Sequence, residues 1–429
     1  MSEPSSAALR PPPPVFYRWA VLVVISLAMF GNYYVYDAIS PIADLLKAQL
    51  GFSDSEIGLL QAIYSVPNIV MVLVGGIVID RIGVKKATLL FGVLCLLGAG
   101  ITASSGTLVV MAAGRLVFGI GAESLIVSVT TAIARWFKGK ELSFAFGVNL
   151  TIARLGSFAA LNSPTWAKAA FESWQMPLLI ATAMGTFCVV GAVIYWIMES
   201  QAAARYEMGH TKTDKVVWGE LFRFNTSFWF VVLLCVTFYS AIFPFQTFAV
   251  KFFMEAHGTT REVGGFLSSM LTLFAMICTP LFGLLVDRVG RRALFMMWGS
   301  LLLVPVYLMM AYTDVSLYVP MAMMGVAFSL IPAVMWPSVA YIVDEQKLGT
   351  AYGLMTMIQN IGLAGFNFLI GWANDFGGAT AANPGGYALG MWIFSSLGFL
   401  GFFFAWLLHR AETGPNAHGL ETIKAGGGS

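Results

Sequence analysis

Two residues of opposite charge, Glu123 and Arg154, lie near the centres of long apolar stretches of the sequence. A charge in the middle of a membrane span costs about 2.5–3.5 kcal/mol on insertion scales, so such a residue indicates a functional site. A planar guanidinium suits a carboxylate, and a carboxylate suits an ammonium group. The two residues therefore favour recognition of both ends of a zwitterion. An internal ion pair that only makes insertion tolerable is the alternative.

Aromatic and amide side chains inside other apolar stretches are further candidates for a binding cavity. An aromatic residue in a span more often packs or anchors at the membrane surface, but Trp336 lies deep within its stretch, and Tyr34 has Tyr33 and Tyr36 as close neighbours. Besides the two charged residues, the predicted substrate-binding set comprises Tyr34, Tyr64, Asn68, Tyr239, Trp336, Gln359 and Asn360.

The composition indicates a membrane as the environment in which these residues are positioned. Hydrophobic residues make up 58% of the chain and charged residues 11%, against roughly 25% charged in a soluble domain. A helix needs about 20 apolar residues to cross a bilayer. About twelve such stretches occur, near 17–46, 55–79, 87–104, 108–134, 142–168, 176–198, 226–253, 262–286, 293–312, 316–343, 348–373 and 386–409. The sequence therefore predicts an all-α membrane protein with twelve transmembrane helices.

The second half of the chain repeats the first. The segment GGIVIDRIGVKKA at 75–87 returns as FGLLVDRVGRRA at 282–293, and LSFAFGVNLTIARLGS from Leu142 resembles LGTAYGLMTMIQNIGL from Leu348. Two matches at nearly one offset, about 207 residues, indicate a duplicated architecture. We therefore expect six-helix bundles at 17–198 and 226–410, a linker at 199–225, and tails at 1–16 and 411–429, the last ending in AGGGS, a cloning scar.

Both copies of the first repeat carry the pattern Gly-x-x-x-Asp-Arg-x-Gly followed by a basic pair, Lys85-Lys86 or Arg291-Arg292, which resembles the signature loop of the major facilitator superfamily of transporters. That resemblance implies alternating access to one site between the two bundles. Asp80, Arg81, Asp287 and Arg288 belong to these loops, and we expect them to form charge networks that hold the outward-open state. Arg115 resembles a fourth-span motif of the superfamily, which implies a conformational or proton-linked role.

Longer stretches, among them GRLVFGIGAESL, MWPSVAYIV and LGTAYGLMTMIQNIGLA, resemble the lysosomal dipeptide uniporter family of this superfamily and its bacterial relatives. The resemblance implies that Glu123 and Arg154 recognise the amino and carboxyl ends of a dipeptide, and that Trp336 matches the tryptophan of the tenth span. The N-terminus is short and no luminal glycosylation sequon is evident. We therefore expect a monomer in a bacterial inner membrane without an accessory subunit, and the lysosomal membrane is the alternative.

Basic residues lie mainly on one side of the predicted spans. Lys85, Lys86, Arg291 and Arg292 fall on the side of the two termini, while the opposite side holds Lys47, Lys168 and Arg261, with Lys251 at a boundary. The positive-inside rule makes both termini cytoplasmic. A net charge of +2 does not suggest nucleic-acid binding. The sequence lacks H-E-x-x-H, G-x-S-x-G and P-loop motifs, so we expect no enzymatic activity, no metal and no cofactor.

Taken together, the residues favour a uniporter of dipeptides or similarly small zwitterions, with the lipid bilayer and a small peptide as its partners. One alternative is a proton-coupled carrier of small organic anions, in which Arg154 binds the anion and Glu123 or Asp37 carries the proton. A nutrient receptor of the same fold that does not transport is a third reading.

Overall fold

The computed structural model describes residues 11–137, 141–206, 224–344, 347–415 and 417–423. Fourteen α-helices make up most of this part of the chain. They are α1 Val15–Asp37, α2 Ala43–Leu50, α3 Asp54–Ile82, α4 Val84–Ser104, α5 Leu108–Phe137, α6 Leu142–Leu161, α7 Ser163–Trp166, α8 Gln175–Arg205, α9 Thr226–His257, α10 Arg261–Val289, α11 Arg292–Tyr312, α12 Tyr318–Ile342, α13 Leu348–Gly377 and α14 Ala388–Glu412.

Twelve helical segments of the described residues are long and apolar enough to cross a membrane, which confirms the predicted fold class. The first predicted stretch, 17–46, is interrupted. Helix α1 ends at Asp37, and a short 3-10 turn at Ser40–Ile42 precedes α2. Pro41 lies in the first turn of that 3-10 segment, where its missing N–H and fixed φ are tolerated. The first span is therefore a long helix followed by a short one.

Local capping signals fix several helix ends. Helix α3 begins with a capping box, in which the Ser53 hydroxyl accepts from the backbone N–H of Glu56 and the Glu56 carboxylate accepts from the backbone N–H of Ser53. The Asn225 side chain accepts from the N–H of Phe228 at the start of α9. Helix α9 ends at His257, and the capping residue Gly258 that follows adopts a left-handed φ of 62°.

Each of the two signature loops contains a glycine with a positive φ. Gly83, between α3 and α4, has a φ of 83°, and Gly290, between α10 and α11, has a φ of 73°. Side chains with a Cβ rarely adopt this region, which explains why a glycine stands at this place in both repeats. The pseudo-symmetry inferred from the sequence is thus visible in the backbone.

Helices α1 to α8 form one half of the molecule and α9 to α14 the other, and the halves meet mainly where α3 packs on α13 and α6 on α10. The hydrophobic core of the second half continues into Ile42 and Leu46 of the first. Helix α8 extends to Arg205, past the predicted start of the linker at 199. Residues 1–10, the linker residues 207–223 and the presumed scar at 425–429 lie outside the described residues.

Candidate functional site

A cavity of about 270 Å³ lies between the two halves. Helices α1, α3, α5 and α6 contribute its walls from the first half, and α9, α12 and α13 contribute them from the second. The lining residues are Asn32, Tyr33, Tyr36, Tyr64, Glu123, Ile126, Arg154, Tyr239, Phe243, Trp336, Thr356, Gln359, Asn360 and Leu363. Seven of the nine predicted substrate-binding residues are in this set.

Glu123 on α5 and Arg154 on α6 both line the cavity. No ion pair within 4.0 Å joins them, and neither forms an ion pair with another of the described residues. The alternative of a purely internal ion pair is therefore absent from this arrangement. Two opposite charges of the first half instead face one cavity separately.

Aromatic rings rather than carboxylates surround the Arg154 guanidinium. Its Cζ atom lies 4.9 Å from the centroid of the Phe328 ring and 5.7 Å from that of Tyr33. Its Nε atom is buried and has no hydrogen-bond partner in the described part of the chain. Cation–π contacts attract the guanidinium to the ring faces but leave its N–H groups free to donate to a ligand.

The wall from the second half is neutral. The Trp336 indole donates to the Tyr239 hydroxyl at 3.0 Å, and the Tyr239 ring stacks on Phe243 with centroids 5.7 Å apart. The Tyr352 hydroxyl donates to the carbonyl oxygen of Trp336 at 3.0 Å. These bonds fix the aromatic wall in place, so it presents a preformed apolar surface with a few polar atoms.

Tyr34, predicted to bind substrate, lies outside this cavity. Its ring is only 2% exposed and packs beside Phe30 and Trp166, with centroids 6.4 and 6.3 Å away. Consecutive residues on a helix are rotated by about 100°, so Tyr33 and Tyr36 share a face that Tyr34 does not. In this arrangement Tyr33 and Tyr36 line the cavity and Tyr34 does not, so a contact of Tyr34 with the substrate stays a prediction that its position does not support.

Asn68 is also absent from the cavity lining. It lies one turn after Tyr64 on α3 and is fully buried. Helix α5 packs very closely on α3 at this level. A Cβ on Gly119 of α5 would lie only 2.3 Å from the carbonyl oxygen of Tyr64 on α3. The close packing explains how a residue on nearly the same helix face as Tyr64 is covered by protein.

Arg115 donates hydrogen bonds to the end of α1, where the first span is interrupted, and does not line the cavity. The side chain is 1% exposed and donates to the carbonyl oxygens of Val35 at 3.2 Å and Tyr36 at 3.5 Å. It also bonds to the Gln61 side chain. The last carbonyls of a helix lack partners within that helix, and Arg115 supplies partners where α1 ends. The predicted conformational role stays a prediction, and the structure shows that Arg115 contacts the C-terminal end of α1.

Buried charges join the halves at the end of the molecule opposite the start of α1 and the end of α14, which we call the sealed end (residues 38–55, 161–172, 246–265 and 367–388). Lys251 of α9 and Asp54 of α3 are both 0% exposed, and the Lys251 Nζ atom lies 2.6 Å from a carboxylate oxygen of Asp54. Glu255 lies 3.5 Å from the same Nζ atom and accepts from the Tyr387 hydroxyl. Lys251 is thus not at a span boundary, as its position in the sequence suggested, but inside α9.

Further polar contacts and close backbone packing complete the sealed end. The Asp375 carboxylate of α13 accepts from the backbone N–H groups of Asp54 and Ser55 at 2.8 and 2.7 Å. A Cβ on Gly371 would lie 2.2 Å from the carbonyl oxygen of Asp54, and one on Gly58 would lie 2.3 Å from that of Asn367. Nothing in the residue types alone indicated this interface.

The signature-loop residues lie at the other end. Asp80 and Arg81 are exposed near the end of α3, and Asp287 and Arg288 are exposed near the end of α10. Asp287 accepts from Arg292 at 3.3 Å. The structure is sealed at the opposite end, so the expectation that these residues hold the outward-open state stays a prediction.

A C-terminal segment, residues 417–423, packs against the second signature loop. Leu420 is fully buried, and its carbonyl oxygen accepts from the N–H of Arg292 at 3.2 Å. The Glu421 carboxylate accepts from the N–H of Ala293 at 2.8 Å. A carboxylate at the first turn of a helix satisfies a free N–H and suits the positive end of the helix dipole. The segment therefore caps α11.

Within the described ranges, no cluster of three or more histidine, cysteine, aspartate or glutamate residues has the arrangement of a metal site. The cavity lining offers two charged side chains and several hydrogen-bonding groups.

Comparison with known proteins agrees with this architecture. The family model of the Major Facilitator Superfamily matches residues 25–252 and 245–425. The chain is 33% identical over 365 residues to the lysosomal dipeptide transporter MFSD1 of Danio rerio, covering 82% of this chain and 79% of that protein. Among solved structures, a point variant of the nucleoside transporter NupG superposes with a TM-score of 0.75 at 13% identity, covering 90% of this chain and 99% of the other. A bacterial homolog of the human lysosomal transporter Spinster gives 0.74 at 15% identity, covering 93% and 98%.

Proposed function

The chain belongs to the major facilitator superfamily of membrane transporters, as its signature loops predict, and from this premise we propose that it carries dipeptides or similarly small zwitterions by alternating access. Glu123 binds the amino group of the substrate and Arg154 binds its carboxylate. The relative that is named a dipeptide transporter matches most of both chains, which supports this choice of substrate class.

The observation that carries the proposal is the separation of Glu123 from Arg154 around one cavity. Two unpaired opposite charges on an otherwise neutral wall match the two ends of a zwitterion. Ligand sites for drug-sized molecules are about 300–1,000 Å³, so a cavity of about 270 Å³ suits a small substrate. The remaining predicted contacts are Tyr64, Tyr239, Trp336, Gln359 and Asn360, which line the same space.

We further propose that the protein is a uniporter of a bacterial inner membrane that works as a monomer without an accessory subunit. The end that bears the termini is placed in the cytoplasm, because Lys85, Lys86, Arg291 and Arg292 lie there. The sealed end then faces the outside of the cell. The structure in this orientation is the state closed to the outside.

Proton-coupled transport of an organic anion is the second candidate, and Asp37 favours it. This carboxylate at the end of α1 is only 5% exposed and forms no ion pair within the described part of the chain. Buried carboxylates inside membrane spans serve as proton carriers in pumps and transporters. Flux into proteoliposomes with and without a pH gradient separates the two: a uniporter's flux follows the substrate gradient alone, whereas acceleration by an inward proton gradient supports the coupled carrier.

Capped peptides test the roles of Glu123 and Arg154. Dialanine, its N-acetyl form and its C-terminal amide should be compared as competitors of dipeptide uptake. Each cap removes one charge-assisted contact worth about 1.5–3 kcal/mol, so each capped peptide should bind about tenfold to a hundredfold more weakly than the free one. Equal inhibition by free and capped peptides would contradict these roles and favour organic anions as the substrates.

Variants of Arg154 assign the carboxylate end. Arg154→Ala and Arg154→Lys should both impair binding, since an ammonium does not reproduce the two parallel hydrogen bonds of a guanidinium. In both variants the preference for the free peptide over its amide should shrink, while the preference over the N-acetyl form should persist. Normal transport by Arg154→Lys would contradict the proposal that the guanidinium binds the substrate carboxylate through two parallel hydrogen bonds.

A further inference from the structure

The guanidinium that the proposed function assigns to the substrate carboxylate is held by a ring of the opposite half. Arg154 belongs to α6 of the first half, and Phe328 belongs to α12 of the second. The Cζ atom of Arg154 lies 4.9 Å from the centre of the Phe328 ring, closer than it lies to Tyr33 of its own half. With its Nε atom lacking a partner among the described residues, Arg154 has these ring faces as its main support.

The Phe328 ring is itself well fixed. It is 3% exposed and meets the edge of the Phe243 ring with centroids 5.9 Å apart at 85°. One turn earlier on the same helix, a Cβ on Gly325 would lie 2.7 Å from the Phe274 side chain, so α12 is packed tightly on α10. Phe328 does not line the cavity. It therefore acts on a ligand through Arg154 and not by direct contact.

A ring under the guanidinium restrains the cation while leaving its donors available. Attraction to the quadrupole keeps the cation near the ring face, and the N–H groups of the guanidinium point outward in its plane toward a carboxylate. A positioned guanidinium loses less conformational freedom when the ligand binds.

We propose that Phe328 is a positioning residue that sets the specificity for a free carboxylate by orienting Arg154. This inference rests on the proposed function. Since Phe328 and Arg154 come from different halves, a relative movement of the halves changes the support of the carboxylate-binding group. Affinity for the carboxylate end is then coupled to the conformational state of the transporter.

Binding of three ligands to two variants tests the inference. Phe328→Leu removes the ring, and Phe328→Tyr is the matched control that keeps it. Equilibrium binding of dialanine and of its N-acetyl form should weaken by about two- to thirtyfold in Phe328→Leu, the range expected from a lost cation–π contact. Binding of the C-terminal amide should not change, and Phe328→Tyr should behave as the wild type. Equal weakening for the free peptide and the amide, or no weakening, would overturn the inference.

A measurement without substrate separates this inference from the proposed function. The rate at which phenylglyoxal modifies Arg154, followed by mass spectrometry of its peptide, should rise in Phe328→Leu and remain unchanged in Phe328→Tyr. An unchanged rate in Phe328→Leu refutes the positioning role. If the wild type does not distinguish the free peptide from its amide, the carboxylate role of Arg154 fails, and the labelling rate still decides whether Phe328 positions the guanidinium.

Discussion

Two pairs of opposite charges in the described part of the chain, one at the sealed end and one in the cavity, are used differently by the protein. At the sealed end, Asp54 and Lys251 come from different halves, are fully buried and lie within 2.6 Å of each other. In the cavity, Glu123 and Arg154 both come from the first half and face the same space without pairing. The first arrangement is complete in the protein alone, whereas the second leaves both charges available to a ligand.

The difference distinguishes a lock, meaning a buried ion pair that holds the two halves together, from a binding site. A buried pair that bridges two halves favours the arrangement in which the halves touch, because separating them leaves each charge to find a new partner. Unpaired charges in a cavity make the empty site costly and the occupied site favourable. The role of a charge inside the fold therefore depends on whether another group of the protein pairs with it.

The largest effect is expected from breaking the lock. Asp54→Asn leaves the Lys251 ammonium buried without its main counter-charge, and removing one partner of a buried pair costs about 3–5 kcal/mol. The ratio of molecules open at the sealed end to molecules closed there should rise by about 10²-fold to several thousandfold. Electron–electron distance measurements between spin labels on the sealed ends of α3 and α13 report this ratio.

The double variant Asp54→Leu with Lys251→Met is the control for that prediction. An apolar pair of similar volume often replaces a buried ion pair without loss of stability, so the double variant should close again. If Asp54→Asn leaves the distance distribution of the wild type unchanged, the pair does not act as a lock.

A methyl group added at the same interface should favour the conformation in which the two halves are separated. In Gly371→Ala the new Cβ lies 2.2 Å from the carbonyl oxygen of Asp54, a clash that disappears when the halves separate. Overpacking costs about 1–3 kcal/mol, so the open population should rise about fivefold to over a hundredfold. Gly365→Ala on the same helix is the matched control, because its Cβ would meet nothing within 4 Å. Equal responses of both variants would show that helix propensity and not interface packing is measured.

The smallest effect separates two neighbouring tyrosines of α1. Tyr33 lines the cavity, whereas Tyr34 packs within the first half. Tyr33→Phe removes a hydroxyl available to the substrate and should weaken dipeptide binding by about two- to tenfold, the value of one hydrogen bond. Tyr34→Phe should leave binding unchanged in the same competition assay. The reverse order would place the substrate on the other face of α1.

Much of the fold could be predicted from sequence because membrane spans and repeats have long, regular signals. The twelve apolar stretches and the two signature loops are confirmed. Glu123, Arg154 and Trp336, all deep in their spans, line the cavity, and for the two charged residues the cost of exposing a charge to lipid is the physical reason. Their roles in binding stay predictions.

The remaining contacts depend on information that residue types do not carry. The rotation of α1 about its axis decides between Tyr33 and Tyr34, and a mixed run of tyrosines does not reveal it. Asp54 and Lys251 are 197 residues apart, so no local pattern links them. Arg115 binds mainly backbone carbonyls, which every residue has. Helix orientation and long-range pairing therefore had to come from the structure.

The cap that residues 417–423 place on α11 has a consequence for biogenesis. Ala293 and Glu421, which form one of its hydrogen bonds, are separated by 128 residues. At a synthesis rate of about 5–20 residues per second, about 6–26 seconds pass between the two. Until residues 417–423 are synthesised, the first turn of α11 therefore lacks the carbonyl and carboxylate groups that cap it in the folded protein.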